Sequence, residues 1–370
     1  GGGKKLLLCE YENGAMIREE IVDAELAQRP SPADGHGTGT GEASTAAAVV
    51  AAVSSAAAGF SSPLTRGARA DKVRQVRAGE TIFKGHRSYE LMLQLQLGVR
   101  WSVGRDHYHA PLQPWAPTSA DFERTVSQRF PRGGGAGATP PHPAGDFAWK
   151  DYSPAAFRRL RQLWGVDSGE YMLSLCGDHA LRELSSPGKS GSVFYISHDD
   201  RFIIKTMRKH EMSTLRAMLP RYYKHVSKHS DSLLTKFFGL YRVKPRARGG
   251  RKVRFVVMGN LFCTDLAIHR RYDLKGSTLG RYTPGPATPE DILKDLDLAH
   301  KFRLEAGARD RLVRTLGEDC ALLEELRVMD YSLLVGVHFR KTTSEHGQAS
   351  QAADGDGEAA GAGAGVGADA

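Results

Sequence analysis

Two short segments carry carboxylates where they could serve an acceptor hydroxyl. Arg271-Tyr272-Asp273-Leu274-Lys275-Gly276-Ser277 packs an acid, a base and a tight turn into one stretch. Met329-Asp330-Tyr331-Ser332-Leu333-Leu334 places one aspartate between a helical pattern and an apolar strand. An aspartate so placed can orient a hydroxyl and take its proton during phosphoryl transfer. Isolated, either carboxylate is more often a cap or a turn residue.

A phosphate-binding element is legible upstream. Gly188-Lys189-Ser190-Gly191-Ser192 is not a Walker A loop, because Glu183 stands where the first glycine belongs and Val193-Phe194-Tyr195-Ile196 is strand-like. It fits better a glycine-containing hairpin that lays backbone N–H groups over nucleotide phosphates. Ser197-His198-Asp199-Asp200 supplies the turn, and the return strand delivers Lys205 at the end of Phe202-Ile203-Ile204. Without context, such a hairpin is more often an ordinary surface turn. Glu211 is the one acid near enough to pair with Lys205, but its place at a helix start suits a dipole-favoured charge equally. Phe255–Phe262, broken by Gly259-Asn260, reads either as a strand leading to an adenine-binding hinge or as a plain buried strand with a bulge.

These residues need a scaffold, and the pattern supplies one. Residues 5–23 read as two strands around Glu12-Asn13-Gly14, and residues 28–72 as a low-complexity insert without structure. From Gly79 the composition becomes globular. Tyr89, Leu93 and Leu97 recur at helical spacing, and Phe130–Pro143 is a loop. Asp146–Asp178 reads as short helices and turns, with a helix start at Ser153-Pro154 and Phe157, Leu160 and Leu163 on one face. Residues 184–262 read as strand, turn, strand, helix, strand, turn, strand, with Pro220 inside the helix. Residues 79–183 should pack helices and strands against that lobe. Asp291–Met329 reads as mainly helical, Leu333–Phe339 as a strand, and residues 341–370 as a disordered tail.

Charge narrows the partners. Residues 201–260 hold 16 Lys/Arg against Glu211 and Asp231, while the remainder of the 370 residues carries 35 basic and 40 acidic side chains. The net +9 is thus concentrated in one segment, which suits phosphates, nucleic acid or an acidic leaflet. A solvated basic face is the bland alternative. Cys9, Cys176, Cys263 and Cys320 form no CxxC pair, which argues against a zinc site or a disulfide framework and makes a reducing compartment the default. No apolar run approaches the ~20 residues that span a bilayer. The chain begins Gly1-Gly2-Gly3-Lys4, so the lack of a signal peptide says little about targeting.

The segments GKSGSVFY, DDRFIIKT, LPRYYKHV, KFFGLYRVKP, VVMGNLF, RRYDLKGSTLGR and MDYSLLVGVHF occur in this order. Together they resemble the phosphatidylinositol-phosphate kinases, closest to the plant and green-algal phosphatidylinositol 4-phosphate 5-kinases, over residues 79–340. The resemblance implies an α+β, kinase-like two-lobed fold with an antiparallel sheet. It implies that Gly188, Lys189, Ser190, Gly191 and Ser192 cover the ATP phosphates and that Lys205 binds them. Asn260 and Leu261 would form the adenine hinge, with Leu334 beneath the base. Asp330 would be the catalytic aspartate, Asp273 and Lys275 would build the site near the lipid headgroup, and Arg281 is a weaker candidate. ATP and Mg2+ follow as cofactors. Phosphatidylinositol 4-phosphate in an anionic membrane follows as substrate, with a peripheral location at the cytoplasmic face of the plasma membrane, no nucleic acid, and a homodimer as one arrangement.

The family's Ile-Ile-Asp segment, whose aspartate holds Mg2+, and its activation loop have no counterpart here. Asp354, Asp356 and Asp369 lie in Ala/Gly-rich sequence, so no metal ligand is assigned. The expectation is a kinase domain whose C-terminal part is incomplete and whose activity alone is weak or absent. A non-catalytic phosphoinositide-binding fragment or pseudokinase is the second reading. A nucleic-acid-binding protein is the third, and it rests on the basic segment alone.

Overall fold

The computed structural model describes residues 5–12, 15–23, 50–52, 72–76, 79–108, 115–135, 139–184, 192–246, 249–264, 266–285, 291–299 and 301–339. The first strands are β1 (Lys5–Glu12), β2 (Ala15–Asp23), β3 (Val50–Ala52) and β4 (Lys72–Val76). β1 and β2 form the antiparallel pair read from the sequence, and β4 lines the other edge of β1. β3 falls within residues 28–72, where composition suggested no structure; the rest of that stretch, apart from Lys72, lies outside the described residues.

The centre is an antiparallel sheet of eight strands. These are β5 (Glu80–Thr81), β6 (Thr125–Phe130), β7 (Phe147–Tyr152), β8 (Arg182–Leu184), β9 (Phe194–Ile196), β10 (Phe202–Met207), β11 (Phe237–Pro245) and β12 (Val253–Gly259). They lie in the order β5-β8-β9-β10-β12-β11-β7-β6. β5, β6, β7 and most of β8 come from residues 79–183, so that region extends the sheet itself as well as packing against it. Phe147–Tyr152 is a strand, not the helix-and-turn segment expected. Phe147 and Trp149 are both buried on one side, and this period-two burial is what a pleated strand requires.

Each face of the sheet carries helices. α1 (Tyr89–Tyr108), α2 (Ser119–Glu123), α3 (Pro154–Leu163), α4 (Ser168–Cys176) and α5 (Lys209–Lys228) divide between them. Met92, Leu95 and Val99 of α1 and Tyr171 and Leu175 of α4 pack with Trp149, Ile204, Tyr241, Phe255 and Val257. Phe157 and Leu160 of α3 and Leu215, Leu219 and Tyr222 of α5 pack with Leu240 and Val256. Successive β12 residues thus serve opposite cores, as alternation dictates. β11 breaks that rhythm: its register shifts between Phe237 and Gly239, and Phe238 and Leu240, two residues apart, serve opposite cores. A Cβ on Gly239 would stand 2.5 Å from the Tyr241 ring, so only glycine fits there. Ser153 enters the left-handed region at φ 51 and Pro154 opens α3, as its sequence signal suggested.

A smaller sheet adjoins this lobe. β13 (Arg270–Leu274) pairs in parallel with β14 (Ile292–Leu293) and antiparallel with β15 (Ser332–Val337), which β3 flanks. α6 (Ala306–Glu325) leads into β15. The mainly helical reading of 291–329 holds for α6, but residues 291–299 form β14 and a single 3-10 turn, Asp295–Asp297, instead of an α-helix. Asp297 accepts from the Lys294 N–H at 2.9 Å, and Asp295 spends its oxygens on another loop, so side chains bond backbone in a non-helical conformation.

Gly98 of α1 lies directly under the Trp149 ring, where an added Cβ would come within 2.1 Å. That ring is fixed, donating to Ser102 Oγ at 2.9 Å and stacking on Tyr241 at 5.0 Å. Mid-helix Gly→Ala ordinarily stabilises by about 1 kcal/mol. Here overpacking should win, and Gly98→Ala should destabilise the fold by about 1–3 kcal/mol in urea unfolding. A raised midpoint would show that Trp149 is free to yield.

Candidate active site

The nucleotide side is built on β8, β9 and β10. Gly188, Lys189, Ser190 and Gly191 lie outside the described residues; Ser192 is described and buried. The strands on either side are anchored by a network that the sequence did not suggest. The buried Glu183 of β8 accepts from Ser88 Oγ and pairs with Arg87, and Tyr195 OH of β9 reaches Ser88 Oγ at 3.3 Å. Val193 N–H donates to Thr206 Oγ1 at 2.8 Å, tying the hairpin's start to β10.

Lys205 lies opposite Phe194 and Val256 in the ladder, on the face away from Phe202 and Ile204. Its Nζ sits 5.7 Å from the Phe194 ring centre. No carboxylate among the described residues pairs with it. Glu211 instead caps α5, accepting from the Arg208 N–H at 2.6 Å. A lysine on a rigid strand without a carboxylate partner is a ready counter-charge for phosphate oxygens.

The segment after β12 is pinned by Asn260. Its N–H donates to Arg201 O at 3.0 Å, its Nδ2 to Asp200 O at 2.8 Å, and its Oδ1 accepts from the Phe262 N–H at 3.1 Å. Asn260 therefore fixes this segment, and the backbone groups of Leu261 take no partner among the described residues. The turn beneath is equally fixed. Burial pushes the Asp199 carboxyl up, but hydrogen bonds from Ser197, Ser174 and the Arg201 N–H outweigh it and hold the group below its ordinary range. β15 passes directly against this segment, because a Cβ on Gly336 would lie 2.6 Å from the Phe262 ring. Leu334 shares the strand face of Gly336, and the β13–β15 ladder sets it opposite Asp273.

The catalytic side lies at one end of that ladder. β13 leaves the sheet at Leu274 and β15 enters at Ser332, so the loops carrying Lys275 and Asp330 emerge together. Lys275 Nζ meets Asp330 Oδ1 at 3.4 Å; the lysine side chain is 13% exposed and the aspartate 79%. Asp330 has φ 61, a left-handed conformation that aspartate tolerates better than most residues. Asp273 does not meet the pair, because its carboxylate is taken by Arg281 at 3.0 Å. Of the residues expected together, the structure joins Lys275 and Asp330 and gives Asp273 a supporting place.

The residue that sets this loop is Asp295. Its Oδ1 accepts from the N–H groups of Lys275 at 2.9 Å and Gly276 at 2.7 Å, and its Oδ2 from Arg281 Nε at 2.7 Å. Asp297 binds Thr283 through its N–H and hydroxyl. Burial raises both carboxyls, but these donors overcome it and leave each below its usual range; Arg281, though burial lowers it, is raised by Asp295 and Asp273. The motif residues were readable, but their anchor was not. Only the acid pair in Lys294-Asp295-Leu296-Asp297 could have hinted at it.

A strand lysine without a carboxylate partner among the described residues, and an aspartate that follows a helix and meets a second lysine, are groups that a phosphoryl-transfer site would use. The family model described as Phosphatidylinositol-4-phosphate 5-Kinase matches residues 175–364. Among curated proteins of Arabidopsis thaliana, the chain is 54% identical to phosphatidylinositol 4-phosphate 5-kinase 5 over 270 residues, which cover 72% of this chain and 35% of that protein. It is 51% identical to phosphatidylinositol 4-phosphate 5-kinase 7 over 275 residues (73% and 36%) and 52% identical to phosphatidylinositol 4-phosphate 5-kinase 9 over 288 (76% and 35%). The chain belongs to the phosphatidylinositol-4-phosphate 5-kinase family. It spans about a third of the length of the curated relatives it matches.

Asp295→Asn should lower stability, because a charged acceptor of three donors becomes a neutral one. A depressed folded-state pKa stabilises fully above the unfolded value of about 3.9 and is lost as pH falls through the folded value. The gap in urea midpoint between the parent and this variant should therefore be constant above about pH 5 and close below about pH 4. A gap that persists in acid would assign the loss to shape instead of charge.

Proposed function

We propose that this protein transfers the γ-phosphoryl group of ATP to the 5-hydroxyl of phosphatidylinositol 4-phosphate, giving phosphatidylinositol 4,5-bisphosphate. The observation that carries this reading is the exposed Asp330 carboxylate held at 3.4 Å from Lys275, at the end of a ladder that also bears Leu334. The relatives named above are phosphatidylinositol 4-phosphate 5-kinases, which supports the same substrate.

ATP fits the described residues: Lys205 offers an unpaired cation and Leu261 an unpartnered backbone edge. Mg2+ does not find a site among them, since no group of three His, Cys, Asp or Glu side chains could hold a metal ion there. No step is therefore routed through metal. In the reaction, Asp330 orients the 5-hydroxyl and accepts its proton as the new O–P bond forms and the bond from γ-phosphorus to the bridging oxygen breaks. ADP leaves with that electron pair. Lys275 holds an anionic headgroup beside the carboxylate and limits the cost of bringing the two together. Asp273, bound to Arg281, keeps the turn in shape.

The same proposal places the protein peripherally at the cytoplasmic face of the plasma membrane, where the cations of residues 201–260 meet anionic lipid. No described helix is long and apolar enough to cross a membrane. Nucleic acid is not a partner in this reading, and a homodimer is kept from the family resemblance.

Radiolabelled transfer from ATP to phosphatidylinositol 4-phosphate in anionic vesicles tests it. Lys205→Ala and Asp330→Asn should each cut transfer by at least roughly a hundredfold. Transfer unchanged by Asp330→Asn would overturn the assigned role. Vesicle binding competed by inositol phosphates but not DNA, without transfer, would favour the phosphoinositide-binding reading.

A further inference from the structure

The turn between β9 and β10 meets the segment after β12 along its carbonyls. Three in succession accept from it: Asp199 O from Cys263 Sγ at 3.9 Å, Asp200 O from Asn260 Nδ2 at 2.8 Å, and Arg201 O from the Asn260 N–H at 3.0 Å. The turn that offers this row carries Asp200 in the left-handed region, at φ 60.

Two elements grip the turn from outside the hairpin. Arg182 of β8, whose side chain is fully buried, donates to Ser197 O at 3.2 Å and pairs with the Asp200 carboxylate. Ser174 of α4 donates from its hydroxyl to Asp199 Oδ1 at 2.7 Å. The same oxygen accepts from Ser197 Oγ at 2.6 Å and from the Arg201 N–H at 3.2 Å. A reversal between two strands closes on its own backbone bonds, here Ser197 N–H to Phe202 O at 2.9 Å and Asp200 N–H to Ser197 O at 3.1 Å. Burying a guanidinium is costly, and the chain need not do so to close a hairpin. What the arginine and the serine add is a fixed place for the three carbonyls.

We propose that Arg182 and Asp200 are positioning residues for ATP: they hold the turn that sets Asn260, and with it the backbone of Leu261, before the base arrives. A segment held in advance spares the cost of ordering it on binding. This rests on the kinase reading, in which adenine lies against Leu261, and it adds the buried ion pair that governs that contact. The affinity for ATP then divides into a base part that depends on the pair and a phosphate part, at Lys205, that does not.

The test measures displacement of a fluorescent ATP analogue from the full chain by ATP and by inorganic tripolyphosphate, which has no base. Asp200→Gly keeps the left-handed backbone and removes the carboxylate. It should weaken ATP roughly tenfold and leave tripolyphosphate within about twofold of the parent. Asp200→Asn, which tolerates the same φ and keeps an acceptor for Arg182, should recover most of the loss. Ser174→Ala leaves Arg182 paired and gives the same selective loss, at about threefold, if Asp200→Gly does not fold. Unchanged ATP affinity in these variants, or equal loss of ATP and tripolyphosphate, would overturn the assignment and leave the kinase reading intact. A parent that binds tripolyphosphate as well as ATP would overturn it too, since no base contact would remain to be positioned. A parent that binds neither ATP nor the analogue would count against the kinase reading and remove this inference with it.

Discussion

A buried carboxylate needs hydrogen-bond partners on its oxygens, and the arrangement of this molecule turns on one that has them. Asp319 of α6 is 2% exposed. It accepts from Ser232 Oγ and the Leu233 N–H, both at 2.7 Å, and meets His225 Nε2 at 2.6 Å. His225 lies in α5, whose opposite end follows the lysine strand β10. Leaving a buried polar group of this kind unsatisfied costs about 1–3 kcal/mol, a large fraction of a domain's net stability. The docking of α6 on the sheet lobe is therefore specific. Because α6 ends at Glu325, the same contact fixes where Asp330 can lie.

The second constraint is the antiparallel ladder through β10 and β12. It sets Phe202 opposite Gly259, so the turn before Lys205 and the hinge after β12 share one edge. Asn260 then bonds both Arg201 O and Asp200 O, locking the hinge to that turn. Lys205 alternates away from the Phe202–Ile204 core, toward the side where α5 packs. A single register thus positions Lys205, the segment from Asn260 to Leu261 and the helix that docks α6. A one-residue slip would send Lys205 into the opposite core, where an unpaired ammonium could not remain charged.

What the sequence made legible follows from range. Period-two and helical spacing exposed β9 through β12 and α5, and the local pair Ser153-Pro154 announced α3, because each signal lies within a few residues. Phe147–Tyr152 misled because three aromatics and an interleaved lysine resemble a turn-rich segment until Tyr241 and Val243 lie alongside as ladder partners. Asp295 was illegible for the same reason: its three donors come from Lys275, Gly276 and Arg281, and nothing near it in the chain reveals them. Asp273 looked chemical because it sits in a motif, yet its carboxylate is spent on Arg281. Residue type and spacing locate a motif, but the division of labour inside it depends on contacts made across the fold.

The contrast within the catalytic pair is the last step. Lys275 is largely enclosed and its turn is clamped from behind by Asp295, whereas Asp330 stands almost fully in solvent on a left-handed residue. A carboxylate that worked on a small, diffusible hydroxyl would need a closed pocket to exclude water and raise its effective strength. An open carboxylate beside a fixed cation makes sense if the missing wall is brought by the substrate's own surroundings. In the proposed reaction a headgroup presented by a bilayer would supply that wall, since the membrane would exclude water from one side while the protein orients the acceptor from the other. The rigidity of the turn is then as necessary as the exposure of the aspartate: a headgroup held in a lipid plane cannot adjust to a loop that wanders, so the protein must do the positioning.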